Sequence, residues 1–262
     1  MAWKRVNIGV LPGVALSLAG CNGGQAVTNT AAVSNSVDNL TVTAPAAAID
    51  VSREAAFQAV FGKASPLVVK VKGGEEITSS QQLIRQGDRA VLITTTERKP
   101  GCHYCAGWLG IYYLKPAGDT FTVTGRFPKA VDGSGGAPDW SVSDRFGSLA
   151  IESRSGMGGQ GYVCNWLELI EFSPDGPRKL VKVTLDSDGT GGGPRPNPGS
   201  FQLTGKIGKI VPGKSFTVDY SGIRIGAAGK QNFSETYRRT ATGYVPARKS
   251  RIDLCPNPSL DK

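Results

Sequence analysis

The tightest constraint on this chain is its punctuation. Glycine (35) and proline (16) are spread through 262 residues, and beyond Gly62 they bracket one short run after another of Val, Ile, Thr, Tyr and Phe. Such runs are too brief for helices but suit strands, with the glycines and prolines in the turns between them. They cover Leu67–Lys72, Ala90–Thr96, Leu109–Leu114, Thr120–Phe127, Ser148–Ser153, Tyr162–Phe172, Lys179–Leu185, Phe201–Val211, Ser215–Tyr220 and Gly243–Val245. Strands in this succession predict an all-β domain, an antiparallel sandwich or barrel. One short N-terminal helix precedes them over Asp50–Gly62, where Phe57, Val60 and Phe61 fall on one face at i, i+3, i+4. Asp50 or Ser52 can cap its start, and Gly62 suits its stop.

Upstream of that helix the composition changes twice. Asn22–Ile49 holds no Lys, Arg or aromatic residue, and a segment of this kind buries too little apolar surface to order itself. As a flexible coil its 28 residues would reach roughly 30 Å, enough for a tether. Before it, MAWKRVNIGVLPGVALSLAGC carries Lys4 and Arg5 and then an apolar run from Val6 to Ala19. That is the layout of an export signal, with an apolar part too short to span a bilayer. Pro12-Gly13 weakens the run as a helix.

The end of this leader, Leu18-Ala19-Gly20-Cys21, resembles the lipobox of bacterial lipoproteins. The resemblance implies cleavage before Cys21, a diacylglycerol thioether on its sulfur and acylation of the freed amine. Several acyl chains together anchor stably where one alone binds marginally. Asn22 rather than Asp after Cys21 implies, by the same resemblance, sorting to the outer membrane with the domain on its periplasmic face. The expected organisation is a signal peptide over 1–20, the lipidated Cys21 and tether over 21–49, and a mainly β domain over 50–262.

The domain's longest break, DSDGTGGGPRPNPGS at Asp186–Ser200, reads either as an exposed loop or as a hinge between two β-lobes. An internal echo, FTVTGRFPKAV at Phe121–Val131 against FQLTGKIGKIV at Phe201–Val211, would suit the hinge if it marks a repeated unit. The chain is basic, with 30 Lys+Arg against 21 Asp+Glu, and loss of Lys4 and Arg5 with the leader takes its formal charge from +9 to +7. The basic residues are dispersed rather than clustered, so no nucleic-acid partner is expected. The partners expected are the membrane, through the lipid anchor, and anionic envelope polymers or another envelope protein.

Four cysteines lie in the domain: Cys102, Cys105, Cys164 and Cys255. An exported chain meets an oxidising compartment, so their even number predicts two disulfides. Closing Cys102 with Cys105 is worth about 2 kcal/mol on the chain-entropy model, and a link from that region to Cys164 about 4 kcal/mol. Proximity favours the short bridge, leaving Cys164 to tie the tail through Cys255; the other two pairings stay open. Cys102-His103-Tyr104-Cys105 also invites a rival reading as a thiol-redox or soft-metal site, since His103, the chain's one histidine, would lower a thiol pKa or ligate. A thioredoxin-type site needs a helix after the motif, whereas Trp108–Tyr113 reads as strand.

Other constellations resolve into turns or strands. Gly208–Ser215, GKIVPGKS, fits the phosphate-loop spacing but is followed by Phe216-Thr217-Val218-Asp219-Tyr220, an alternating strand rather than the helix that chemistry requires. Asp186-Ser187-Asp188-Gly189 lacks the further ligands of a calcium loop. No Gly-x-Ser-x-Gly elbow occurs, and Glu152, Glu168 and Glu171 fall in or near strands, where a carboxylate pair for hydrolysis would need a specific separation. No metal and no cofactor is expected, nor any catalytic residue.

The order CHYC, an apolar strand, a glycine-rich stretch and then Gly159-Gln160-Gly161-Tyr162 resembles a group of bacterial exported proteins that carry His-x-Cys before a strand and a Gly-Gln-Gly-Tyr turn before another. The resemblance spans Gly101–Phe172 and implies a shared β-fold. On these grounds the chain is expected to be a non-catalytic binding or structural module. Its candidate binding residues are His103, Trp108, Met157 and Gln160, the last two in a glycine-rich loop beside Cys164.

Overall fold

The computed structural model describes residues 53–101, 107–159, 162–188, 201–224 and 228–252. The fold is all-β with one short helix near the N-terminus. The helix α1 (Arg53–Phe61) buries Ala56, Phe57 and Val60 and stops where the Gly62 N–H donates to the Gln58 carbonyl at 2.7 Å. Gly62 sits at φ +68°, a conformation that only glycine enters without strain. The predicted caps Asp50 and Ser52 lie outside the described residues.

Strands β1 (Leu67–Val71), β2 (Gly74–Gln86), β3 (Arg89–Lys99), β4 (Gly107–Ala117) and β5 (Thr120–Gly133) form a five-stranded antiparallel meander. A second sheet follows in the same manner from β6 (Asp139–Ser143), β7 (Ala150–Gly159), β8 (Tyr162–Ser173) and β9 (Gly176–Asp188) to β10 (Phe201–Val211), β11 (Ser215–Arg224), β12 (Lys230–Arg239) and β13 (Tyr244–Pro246). Within each sheet, neighbours in sequence are neighbours in space, the simplest solution for strands joined by short turns.

Three apolar clusters hold the sheets. Ala90, Leu92, Tyr112 and Leu114 of the first sheet pack against α1. Their alternates Val91, Ile93, Ile111 and Tyr113 pack against Ile151, Ile170 and Phe172 of the second. β3 and β4 are therefore covered on both faces, which is why they read as near-continuous apolar runs rather than alternating ones. The third cluster, built on Phe146, Leu167, Val183, Phe216, Val218, Tyr220, Tyr237 and Tyr244, lies within the eight-stranded sheet itself. That sheet curls into a half-barrel and brings its last strands back over β9: the Tyr244 hydroxyl donates to the Phe146 carbonyl at 2.7 Å, and a Cβ at Gly243 would stand 2.2 Å from the Leu180 oxygen. The expectation of a sandwich or barrel thus holds in both senses.

Several sequence expectations change. Residues 47–262 form one compact unit, and β9 pairs with β10 from Asp186↔Thr204 to Asp188↔Gln202, so Asp186–Ser200 joins neighbours in one sheet and does not divide two lobes. The chain instead changes sheets over 134–138, where a Cβ at Gly107 would lie 2.2 Å from the Ala137 nitrogen and one at Gly133 would lie 2.2 Å from the Gly136 oxygen. The glycines permit that close crossing. The expectation for Gly208–Ser215 stands: it runs into the β10–β11 hairpin turn, closed by Lys214 N–H to the Val211 carbonyl at 3.0 Å, with a strand after it. Met157 is in β7 opposite Cys164, not in a loop, because Gly159 pairs with Tyr162 and leaves two residues between the strands.

Candidate functional site

A concavity with convergent polar groups lies at the β8–β9 hairpin. It is an open cleft of about 840 Å³ lined by Gln86, Phe127, Ser148, Glu171, Arg178 and Lys179 among others. Its floor comes from the second sheet. Glu171 and Arg178 are cross-strand partners, and Glu171 lies opposite Ala150 of β7, just beyond Ser148. Phe127 arrives from the first sheet and lies over Gly176, where a Cβ would stand 2.6 Å from its ring.

Glu171 is the keystone. One of its oxygens accepts from both Nε and Nη2 of Arg178, and the other accepts from Arg239 Nη2 at 3.1 Å. Arg178 reaches on to the Ala241 carbonyl at 3.2 Å, which ties the β12–β13 turn to the hairpin. Arg239 also covers the Tyr244 ring at 5.1 Å. Burial alone would push the Glu171 carboxyl up, but the Ser148 hydroxyl, the Arg178 guanidinium and the charge of Arg239 outweigh it and hold the group below the ordinary carboxylate range.

Two polar atoms near this carboxylate are buried without a hydrogen-bond partner: Arg239 Nη1 and the Tyr113 hydroxyl. Burial pushes Tyr113 up to about 12, against the pull of Arg89 and with a further push from Glu171. Buried polar groups normally find partners, so two orphans beside one charge mark the place out.

Glu152, Glu168 and Glu171 are all buried, yet they do not assemble a hydrolytic pair. Glu168 lies across from Ser153 on the opposite face and binds Lys179 at 2.9 Å and Lys182 at 3.7 Å; Lys182 also sits 3.9 Å over the Trp166 ring. Glu152 shares a face with Glu171 but is clamped by Arg145, whose Nε donates to it at 2.6 Å. A general acid needs a raised pKa, and the arginines drive Glu171 the other way.

The chain matches no protein-family model, and no curated protein or solved structure matches it significantly.

Of the residues singled out from sequence, Cys21, Cys102, His103, Cys105, Gln160 and Cys255 lie outside the described residues. Cys164 is fully buried in β8 and disulfide-bonded, with its partner outside the described residues. Trp108 is 8% exposed, with Lys129 Nζ 4.3 Å from its ring centre, and neither it nor Met157 lines the cleft. Sequence reading placed Glu171 in a strand but missed Ser148, Arg178 and Arg239 as its company. Glu168 and Glu171 inside the otherwise apolar stretch Trp166–Phe172 were a usable signal, since a carboxylate on an apolar strand needs a cation opposite.

Replacing Glu171 by Gln leaves two guanidiniums facing a neutral amide. Breaking a buried pair costs about 3–5 kcal/mol, and the partial exposure of Arg178 reduces this to about 2–3 kcal/mol. The carboxyl ionises at lower pH folded than unfolded, so its contribution is complete above about pH 4.3 and is lost as pH falls through the folded value. Urea midpoints of the wild type and Glu171→Gln should therefore differ at pH 7 and converge in strong acid; a constant gap would show that the charge is not the cause.

Proposed function

We propose that this chain is a lipid-anchored protein of the cell envelope, held at the outer membrane on its periplasmic face, whose β-domain is a non-catalytic binding or structural module. The observation that carries the reading is the disulfide at Cys164, set at a fully buried strand position. Cross-links of this kind persist in oxidising compartments, in keeping with a chain whose start ends in Leu18-Ala19-Gly20-Cys21. A binding role is supported by the polar cleft, and its non-catalytic character by three buried carboxylates that are each occupied by their own cation. Anionic envelope polymers or another envelope protein suit the basic domain as partners.

The test is metabolic labelling with an alkyne analogue of palmitate, followed by membrane fractionation. The wild type should take up label and sediment with outer membrane, and Cys21→Ala should lose both. Thiol counting under denaturing conditions without reductant should find no free sulfhydryl in the domain. An unlabelled, fully reduced chain in the soluble fraction overturns the proposal, and a reducible Cys102–Cys105 pair would transfer the case to a thiol-redox role.

A further inference from the structure

We propose that the solvent side of β10–β12 is a docking surface for an extended anionic polysaccharide. The inference narrows the reading of the domain as a binding module to one partner class, and rests on it. Basic residues look dispersed along the chain, but the strands do not share them evenly. Residues 201–252 hold ten Lys+Arg against two Asp+Glu, whereas 53–188 hold sixteen against fifteen. Register decides which side the surplus takes. Thr204, Ser221 and Asn232 lie opposite one another in β10, β11 and β12, and so do Lys206, Asp219 and Ser234. Cross-strand partners and alternate residues share a face, so Lys230 and Arg238 of β12 stand on this side too. Phe216, Val218, Tyr220 and Tyr237 take the other side and fill the core. Lys209 sits in the bulge of β10, its N–H donating to Thr217 Oγ1 at 2.9 Å. Lys206, Lys209, Lys230 and Arg238 are all exposed, and the ion pairs of the described residues engage none of them. Among the described residues the face carries one carboxylate, Asp219, which accepts from Ser234.

Lys230 and Arg238 stand roughly 26 Å apart along β12, a length that suits a polymer rather than one small ion. Between them a groove of about 650 Å³ runs over the three strands, lined by Thr204, Lys206, Ser221, Asn232 and Ser234 among others. Tyr220 and Phe233 also line it, but their rings turn to the core side, where they stack at 5.2 Å. The side chains of Thr204, Ser221 and Asn232 make no hydrogen bond to another described residue. Sugar hydroxyls can donate to and accept from such groups, while carboxylate or phosphate groups along the polymer meet the cations beside them. Other polyanions fit less well. A nucleic acid gains most from aromatic rings on which bases stack, and this side presents none among the described residues. A lipid surface takes in a continuous apolar face, whereas the exposed Ile223 and Val245 stand at opposite ends, across from Lys230 and Arg238.

Calorimetric titration of the full-length protein in non-ionic detergent, at pH 7 and low salt, tests this with oligogalacturonate, a linear chain of carboxylated sugars, against neutral dextran and duplex DNA. Saturable binding of the oligogalacturonate is expected, weakening as salt rises, with none of dextran. Lys206→Gln should weaken it about tenfold and Asn232→Ala about fivefold. Lys115→Gln, which removes the same charge from an exposed position of β4, should leave it unchanged. All three side chains are exposed, so the variants keep the fold. Phosphatidylglycerol added to the micelles should leave the binding in place. Absence of binding, an equal loss in Lys115→Gln, an affinity unmoved by Asn232→Ala, tighter binding of the DNA, or abolition by phosphatidylglycerol overturns the proposal. Palmitate labelling at Cys21 and thiol counting are read separately, so failure here leaves the anchored, disulfide-bonded domain standing.

Discussion

Raised through pH 10, the protein should hold its sheets past the point at which free tyrosine ionises and then unfold abruptly, with tyrosinate absorbance and loss of circular dichroism rising together. Of its seven tyrosines, Tyr112, Tyr113, Tyr220, Tyr237 and Tyr244 are all raised, each mainly by burial. Tyr220 and Tyr237 are raised furthest, helped by the nearby Glu235 carboxylate. The folded state keeps these phenols neutral while the unfolded state releases their protons, so the stability they contribute is complete below about pH 10 and is lost as pH rises toward the folded values. Tyr113, pushed up to about 12, forfeits a few kcal/mol across that interval, at about 1.4 kcal/mol per pH unit. Tyr220 and Tyr237, raised further, add to that loss, which is large beside the whole stability of a typical domain, about 5–15 kcal/mol. Tyr113→Phe is the informative variant: its hydroxyl has no partner, so the change should be near neutral at pH 7 and should move the alkaline transition upward. Five tyrosines titrating independently near their free value, with the fold intact, would contradict the packing.

The second large effect is expected at Phe216. The side chain is 1% exposed, stacks on Tyr237 at 5.0 Å, and meets Phe146 at 5.3 Å and Tyr244 at 5.1 Å edge-on. It therefore joins β11 to β12, to β13 and to the segment before β7. Phe216→Ala should cost about 3–5 kcal/mol, from lost transfer energy and an unfilled cavity, with each aromatic contact adding about 0.5–1.5 kcal/mol to what area alone predicts. Phe216→Leu, which keeps most of the volume, should cost clearly less. Equilibrium denaturation in urea separates the two through their midpoints, provided the slope is unchanged. A loss under about 1 kcal/mol for Phe216→Ala would mean that the curl of the eight-stranded sheet is held elsewhere.

Ten strands were legible because their apolar runs were bracketed by turn residues, but β2, β6 and β12 were not, and the reason is the same in each. GEEITSSQQLIRQ, DWSVS and KQNFSETYRR are mostly polar, and the apolar signal in such strands is at best every second residue. In β12, Phe233 and Tyr237 touch the core while Asn232, Ser234 and Thr236 pair outward with β11, an alternation that was present but diluted by charge. The reverse holds for β3 and β4, whose apolar runs were unmistakable because two layers cover them.

The aromatic stretch after CHYC shows the same division. Tyr112 and Tyr113 fall side by side in a stretch that reads as one strand, yet they point to different layers, Tyr112 to α1 and Tyr113 to the second sheet. Similarly, Glu152, Glu168 and Glu171 were visible as carboxylates in strands, but not the cation each would meet. Arg178 stands seven residues from Glu171 and was reachable from hairpin register; Arg239 stands 68 residues away and was not.

By itself the sequence determined the alternation of strand and turn, the single helix at the N-terminal side, the antiparallel all-β class, and the absence of a helix behind the phosphate-loop-like string. These follow from local conformational preference, which each short segment carries with it. Tertiary structure alone decided that the strands divide into sheets of five and eight, that the change of sheet falls over 134–138, and that the larger sheet curls until β12 and β13 meet β8 and β9. It alone gathered Ser148, Glu171 and Arg178 round one cleft and set Arg239 against Glu171. Curl and face-to-face packing arise from contacts between side chains far apart in sequence, and the partner of a charge is fixed only when the strands have closed on each other.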